Sequence, residues 1–160
     1  MRKKEREITD RREIERVLTE AKVLRLAINE AGAPPYIVPV NFGYRDGAVY
    51  FHSSYEGKKI ELITKDPMVS FEAETDVAII APADPTNACE WGVAYRSVIG
   101  HGRARLLVDD GEKRAGLLAI MAGVAPEIGL SALILSDKIM KITAVVKIEI
   151  EAMTGKKHRV

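Results

Sequence analysis

The sequence predicts a mainly β domain, an antiparallel barrel or sandwich of six strands with a few flanking helices. Three observations carry this. Short apolar or alternating segments recur along the chain and are bounded by Gly, Pro and Asp turn-formers. Between residues 23 and 53 these segments follow one another through turns, with no helical spacing in between. Parallel strands need a crossover of a dozen or more residues, usually a helix, so a doubly wound parallel sheet does not fit that region.

The first element is a helix within "EITDRREIERVLTEA". Thr9 or Asp10 can cap it, Glu13 stands where a capping box needs an acid, and Ile14, Val17 and Leu18 repeat at helical spacing. Residues 23–28 form the first strand, and "EAGAPP" (30–35) turns the chain. The second strand runs from Tyr36 to Tyr44 with a break at Pro39, which marks an edge or a bulge. "RDG" (45–47) is a hairpin signal, and Ala48 to Ser53 is the third strand. A short helix spans Lys58 to Lys65 and stops at Asp66-Pro67. Met68 to Ala73 is the fourth strand. The middle of "DVAIIAPADPTNACEWG" reads as a loop. "VAYRSVIGHGRARLLV" is a long strand in which Gly100 and Gly102 invite a bulge. "DDGEKRAGLLAIMAGVAP" is a helix, "LSALILSD" a shorter one, and "KITAVVKIEIEAM" the last strand. The tail "GKKHRV" is short and basic.

At 160 residues the chain is expected to form a single domain over residues 1–160, long enough for a real core. Its 24 basic and 23 acidic residues give a net charge of +1, so no single-sign field supports binding to nucleic acid or to a membrane surface. No apolar run approaches the ~18 residues of a membrane span, and the N-terminus lacks the apolar stretch of a secretory signal. One cysteine, Cys89, and three histidines are scattered without metal-ligand spacing. A cytoplasmic, metal-independent protein is expected.

The chemistry concentrates in "YFHSSYEGKK" (50–59). Lys58 and Lys59 occupy the first turn of a predicted helix, where cations oppose the helix dipole unless an anion offsets them. A phosphate there would meet amide groups, two ammonium groups and the hydroxyls of Ser53 and Ser54. Two solvated surface lysines are the alternative reading. His52 suits a ligand contact or a proton donor near neutral pH, or a hydrogen-bonded histidine at a sheet edge. His101, between two glycines, is open in the same way, and His158 is given no role. Trp91, the only tryptophan, is either a ring against a cofactor or a packing anchor. No Rossmann glycine motif, Walker loop or nucleophile elbow is present.

The order of these stretches resembles the flavin-binding split-barrel proteins related to pyridoxamine 5′-phosphate oxidase. Within them it looks most like the branch named for 5-nitroimidazole antibiotic resistance. The resemblance is carried by "REITD", "PYIVPVNFGY" (35–44), "VYFHSSYEGKKIELI" (49–63), "DPMVSFE" (66–72) and "CEWGVAYRSVIGHGRA" (89–104). It implies a six-stranded split barrel, a homodimer, and flavin mononucleotide (FMN) in a cleft at the subunit interface. By position, Ile37, Val38, Pro39, Val40 and Asn41 would run along the isoalloxazine, and Phe51, His52 and Ser53 would continue the site. Lys58 and Lys59 fall where the family holds the phosphate. Arg96, Ser97 and Val98 would reach the cofactor from the partner subunit. Nothing matches the pyridoxal-phosphate contacts of the true oxidase, and "IEAMTGKKHRV" does not reproduce its ending. The resemblance therefore implies a reductase that takes hydride from a reduced nicotinamide nucleotide and passes electrons to a small electrophile such as a nitroaromatic, with His52 as proton donor. Two further readings accompany it: a non-catalytic flavin-binding or electron-buffer protein, and a haem-binding relative using His52 or His101, since split-barrel relatives also bind haem or a deazaflavin.

Overall fold

Eight strands make one antiparallel sheet in the computed structural model, which describes residues 3–158. They are β1 (Glu7–Ile8), β2 (Leu24–Ile28), β3 (Tyr36–Val40), β4 (Phe42–Arg45), β5 (Ala48–Ser53), β6 (Met68–Ile80), β7 (Gly92–Leu106) and β8 (Ala144–His158). The sheet order is β3-β2-β6-β7-β8-β5-β4, with β1 pairing alongside β8. Four helices accompany it: α1 (Arg11–Glu20), α2 (Lys58–Lys65), α3 (Asp110–Val124) and α4 (Asp137–Ile142).

The sheet must be curled. β3 and β4 are its opposite edges, yet only Asn41 separates Val40 from Phe42. Laid flat, six strand spacings would put those edges ~29 Å apart. Two residues of chain reach at most ~7 Å. The two edges therefore meet at the Asn41 corner without pairing, which is a split barrel.

Alternation along the strands fills the interior. Leu24, Leu26, Ile28, Val49, Phe51, Phe71, Val98, Val146 and Ile148 are all buried in one cluster, joined by Ile14, Val17 and Leu18 of α1 and Ile60, Leu62 and Ile63 of α2. On the outside of β5 and β8, α3 and α4 build a second cluster from Leu107, Leu117, Ile120, Met140 and Val145, with Tyr50 packed against it. α3 lies so close to β4 that a Cβ on Gly43 would fall 2.0 Å from the Ala119 carbonyl oxygen. The outer face of β3, β2, β6 and β7 is different. Ile37 and Ile99 there are 66% and 60% exposed.

Several expectations hold in detail. Asp10 caps α1, accepting a hydrogen bond from the Arg12 amide at 2.9 Å. Asp46 and Gly47 both have positive φ, as a tight two-residue hairpin requires. Pro39 lies on an edge strand, and β7 shifts register against β8 between His101 and Gly102. Others are corrected. The strand count is eight rather than six. The Tyr36–Tyr44 segment breaks at Asn41, where the chain turns the barrel corner, and not at Pro39. β6 continues to Ile80 through a bulge between Thr75 and Ala78, where Asp76 has φ of 56°. "LSALILSD" holds only a single 3₁₀ turn (Leu130–Ala132), and the helix begins after Ser136, whose hydroxyl accepts from the Ile139 amide. β8 runs through to His158, so most of the "GKKHRV" tail is strand paired with β7. Arg159 and Val160 lie outside the described residues. Glu13 makes no capping box, because its carboxylate takes the Lys157 ammonium at 2.9 and 3.1 Å.

Candidate functional site

The start of α2 is the most unusual electrostatic feature. Gly57, with φ of +113°, is its N-cap and offers no side-chain acceptor to the first-turn amides. Helix starts leave such amides unpaired, and they carry the positive end of the dipole. Lys58 and Lys59 add two ammonium groups to that end. Lys58 Nζ lies 2.8 Å from a Glu30 carboxylate oxygen and 5.0 Å from the centre of the Tyr36 ring on β3. That pair is solvent-exposed, worth at most ~1 kcal/mol, and is easily exchanged for a better anion. Lys59 is half-buried with its Nζ 5.4 Å from the Phe51 ring centre, and no carboxylate lies within salt-bridge distance among the described residues. Burial pushes its pKa below the ordinary lysine value.

β3 lies beside this helix start through Tyr36. As an edge strand it pairs only with β2, so backbone groups on its other side remain open to a ligand. Ile37, Pro39 and Asn41 are exposed, Val38 is half-buried, and the Val40 side chain points into the core.

β5 divides the remaining residues. Phe51 is fully buried in the barrel core, and Ser53 is half-buried. His52 points to the opposite face. There it lines an open, largely apolar cleft of about 350 Å³ with Leu117, Ile120, Leu135, Ile139 and Thr143, under α3 and the segment leading into α4.

The β7 residues sit elsewhere. Val98 is fully buried, in a row with Ala73, Leu24 and Val40 across the sheet. Three strand spacings, ~14 Å, thus separate it from β3 within one chain. Arg96 is held between Asp76 and Glu20, the latter at 2.5 Å, and the hydrogen bond to Asp76 is the main cause of its raised pKa. Ser97 lines a shallow cleft of about 310 Å³ with Glu7, Ile99, Thr154 and Lys156. One chain therefore joins β3 to Lys58, and Phe51 to Lys59, but leaves His52 in a separate cleft and Arg96–Val98 distant.

Trp91 is not a core anchor. It is 45% exposed, donates its indole N–H to the Pro85 carbonyl at 3.1 Å, and lines a cleft of about 420 Å³ with Arg6, Cys89 and His158. Lys113 was not singled out by the sequence. It is the buried charged residue among those described, 4% exposed, and donates to the Tyr55 hydroxyl at 2.9 Å and to the Met140 carbonyl. The signal was available: Lys113, Leu117 and Ile120 share one face of α3 at i, i+4, i+7. Among the described residues, no group of three or more His, Cys, Asp or Glu could hold a metal ion, and no helix is long and apolar enough to cross a membrane.

Comparison with known proteins agrees with this architecture. A proposed 5-nitroimidazole antibiotic resistance protein from Bacteroides thetaiotaomicron is 27% identical, with a TM-score of 0.80 over 94% of this chain and 86% of that one. A FAD-binding protein from Mesorhizobium loti is also 27% identical, with a TM-score of 0.66 over 96% and 97%. The flavocytochrome Anf3 from Azotobacter vinelandii shares the fold, with a TM-score of 0.81 at 19% identity over 100% of this chain and 72% of that one. No curated protein sequence matches the chain. The family model described as pyridoxamine 5′-phosphate oxidase matches residues 10–157, nearly the whole chain, and the protein belongs to that family.

Proposed function

We propose that the protein is an FMN-dependent reductase that works as a homodimer, with the flavin along the open edge of β3 and its phosphate at the start of α2. The observation that carries this reading is the helix start itself. An uncapped N-terminus with two lysines, one of them desolvated and without a carboxylate partner among the described residues, is a cation in search of an anion. A terminal phosphate would supply that anion. The 27% identical relative described as FAD-binding supports a flavin in general.

The homodimer is supported by two features. The outer face of β3, β2, β6 and β7 leaves Ile37 and Ile99 largely exposed on either side of the Arg25–Glu72 ion pair, a mixed apolar and charged surface of the kind a second copy could cover. Within one chain Arg96, Ser97 and Val98 lie too far from β3 to share its ligand; in a homodimer a second copy would supply Arg96 and Ser97, while the Val98 side chain stays in its own core and could offer only backbone groups. Arg96, pinned by Asp76 and Glu20, would then present a fixed edge to the cofactor rather than a mobile cation.

When bound, the isoalloxazine supplies the electron transfer, from a reduced nicotinamide nucleotide to a small electrophile such as a nitroaromatic. The chain's own residues bind, orient and protonate. Backbone groups on β3 fix the ring edge and Lys58 and Lys59 fix the phosphate, whereas His52 lies in a separate apolar cleft on the opposite face of β5, and its role as proton donor rests on the family resemblance. His52→Ala should keep bound flavin while losing most turnover; full turnover in that variant removes the histidine's role.

The first test is an absorbance spectrum of purified protein with the released cofactor identified by mass, followed by anaerobic addition of reduced nicotinamide. Flavin bands that bleach establish the reductase, and the mass separates FMN from FAD. Bands that persist under reduced nicotinamide indicate a flavin-binding module without this turnover. A Soret band indicates haem, and a colourless protein that refuses added FMN overturns the proposal.

A further inference from the structure

We infer that Lys113 is a positioning residue for the candidate cofactor site: through Tyr55 it fixes the loop that delivers the start of α2. This rests on the flavin reading for its purpose, but the contact stands on geometry alone. Lys113 projects from the second turn of α3 into a site where it is 4% exposed. A buried ammonium needs partners for its protons, and among the described residues no carboxylate forms an ion pair with it. Two oxygens serve instead, the Tyr55 hydroxyl at 2.9 Å and the carbonyl of Met140, in the last turns of α4.

The Met140 contact has a local purpose. The last carbonyls of a helix lack intrahelical donors, and a cation there suits the dipole. Tyr55 does not need Lys113 for its own sake, because it is 44% exposed and water could satisfy its hydroxyl. What the contact changes is the loop. Residues 54–57 join β5 to α2 and are all exposed. Within this loop the side-chain bonds are the weak Glu56 amide to Ser54 hydroxyl contact at 3.3 Å and the bond from Lys113. Gly57, at positive φ, leaves its own backbone permissive. Tyr55 is thus the peg by which α3 and α4 hold the loop that aims Lys58, Lys59 and the first amides of α2. A clamp ordered before its ligand arrives binds more tightly, because the ordering entropy is already spent.

Two variants test this. Tyr55→Phe keeps the ring and removes only the hydroxyl, while Lys113→Met removes the charge at similar length. In the unliganded protein both should raise amide hydrogen exchange at Ile60 and Glu61, which donate to the Gly57 carbonyl, about tenfold, the loss of one bond to a charged group, with β7 unchanged. Both should weaken FMN binding about tenfold and leave riboflavin, which lacks the phosphate, within about twofold. A general structural role would instead lower thermal stability, raise exchange throughout, and weaken both flavins alike. If wild-type protein binds neither flavin, the functional reading fails, and the exchange measurement still decides whether Lys113 holds the loop. Unchanged exchange at Ile60 and Glu61 in Tyr55→Phe overturns the inference.

Discussion

Replacing Lys59 with Met should move stability and ligand binding in opposite directions. In the protein without flavin, Lys59 carries a charge that burial disfavours and that no carboxylate among the described residues offsets. Its folded pKa lies below the 10.5 of an ordinary lysine, so the unfolded chain holds the proton more tightly. The penalty is fully present below the folded pKa and disappears as pH rises through the interval up to the unfolded value. Methionine keeps the contact with the Phe51 ring and removes the charge. The attraction between ammonium and ring, worth ~0.5–1 kcal/mol, offsets part of the gain, so the variant should be more stable at pH 7 by no more than about 1 kcal/mol. Added FMN should reverse the order. A hydrogen bond to a charged group contributes ~1.5–3 kcal/mol, so its loss should weaken FMN binding about 10- to 100-fold. With FMN at about 100 times the wild-type Kd, wild type gains ~2.7 kcal/mol, whereas a variant weakened about thirtyfold gains only ~0.9. Urea denaturation with and without FMN, repeated with riboflavin, reads both effects. A variant that is less stable without ligand, or that loses riboflavin as strongly as FMN, refutes the argument.

Three other perturbations have defined outcomes. Gly43→Ala would drive a Cβ to 2.0 Å from the Ala119 carbonyl oxygen, so α3 must move off β4; overpacking of this kind should cost ~3 kcal/mol or more in urea denaturation. Ile99→Arg, on the uncovered face, should turn a dimer into a monomer in sedimentation analysis and take flavin binding with it, and a dimer that persists places the interface elsewhere. Burial raises the Glu72 carboxyl pKa more than its hydrogen bond with Arg25 lowers it. A raised carboxyl loses stability as pH climbs from the unfolded value through the folded one, so Glu72→Gln should match wild type near pH 4 and be slightly more stable at pH 7. A variant that matches wild type near pH 4 but is less stable at pH 7 would show the Arg25 pair to dominate.

Local chemistry explains which parts of the fold were legible. The hairpin at Asp46-Gly47 needs two positive φ angles that few residue pairs tolerate, and α2 is bounded by Gly57 and Pro67, so both were readable to the residue. β8 beyond Met153 was not, because "TGKKH" has little strand preference of its own. Pairing with β7 along its length, and of Gly155 and Lys156 with β1, makes it a strand. β6 seemed to stop at Ala73 because the bulge at Asp76 breaks the alternation. "LSALILSD" was apolar enough for a helix but lacked a cap, which Ser136 provides only at its end. In the candidate site, Lys58 and Lys59 were legible as charges in the wrong place for a helix dipole. The separation of His52 from Phe51 follows from strand alternation and was legible in principle. The committed state of Arg96 was not, since Glu20 and Asp76 meet it only through tertiary packing.

The sheet order has a consequence for how the protein is made. β8 lies between β7 and β5, joining the half that holds β3, β2, β6 and β7 to the half that holds β4 and β5. It is also the last strand of the described chain to leave the ribosome. During synthesis the two halves must wait side by side, tethered at Asn41, each with a long strand edge unpaired. Closure comes as one late event in which β8 zips both seams, so a nascent chain stalled before residue 144 is the species most in need of a chaperone.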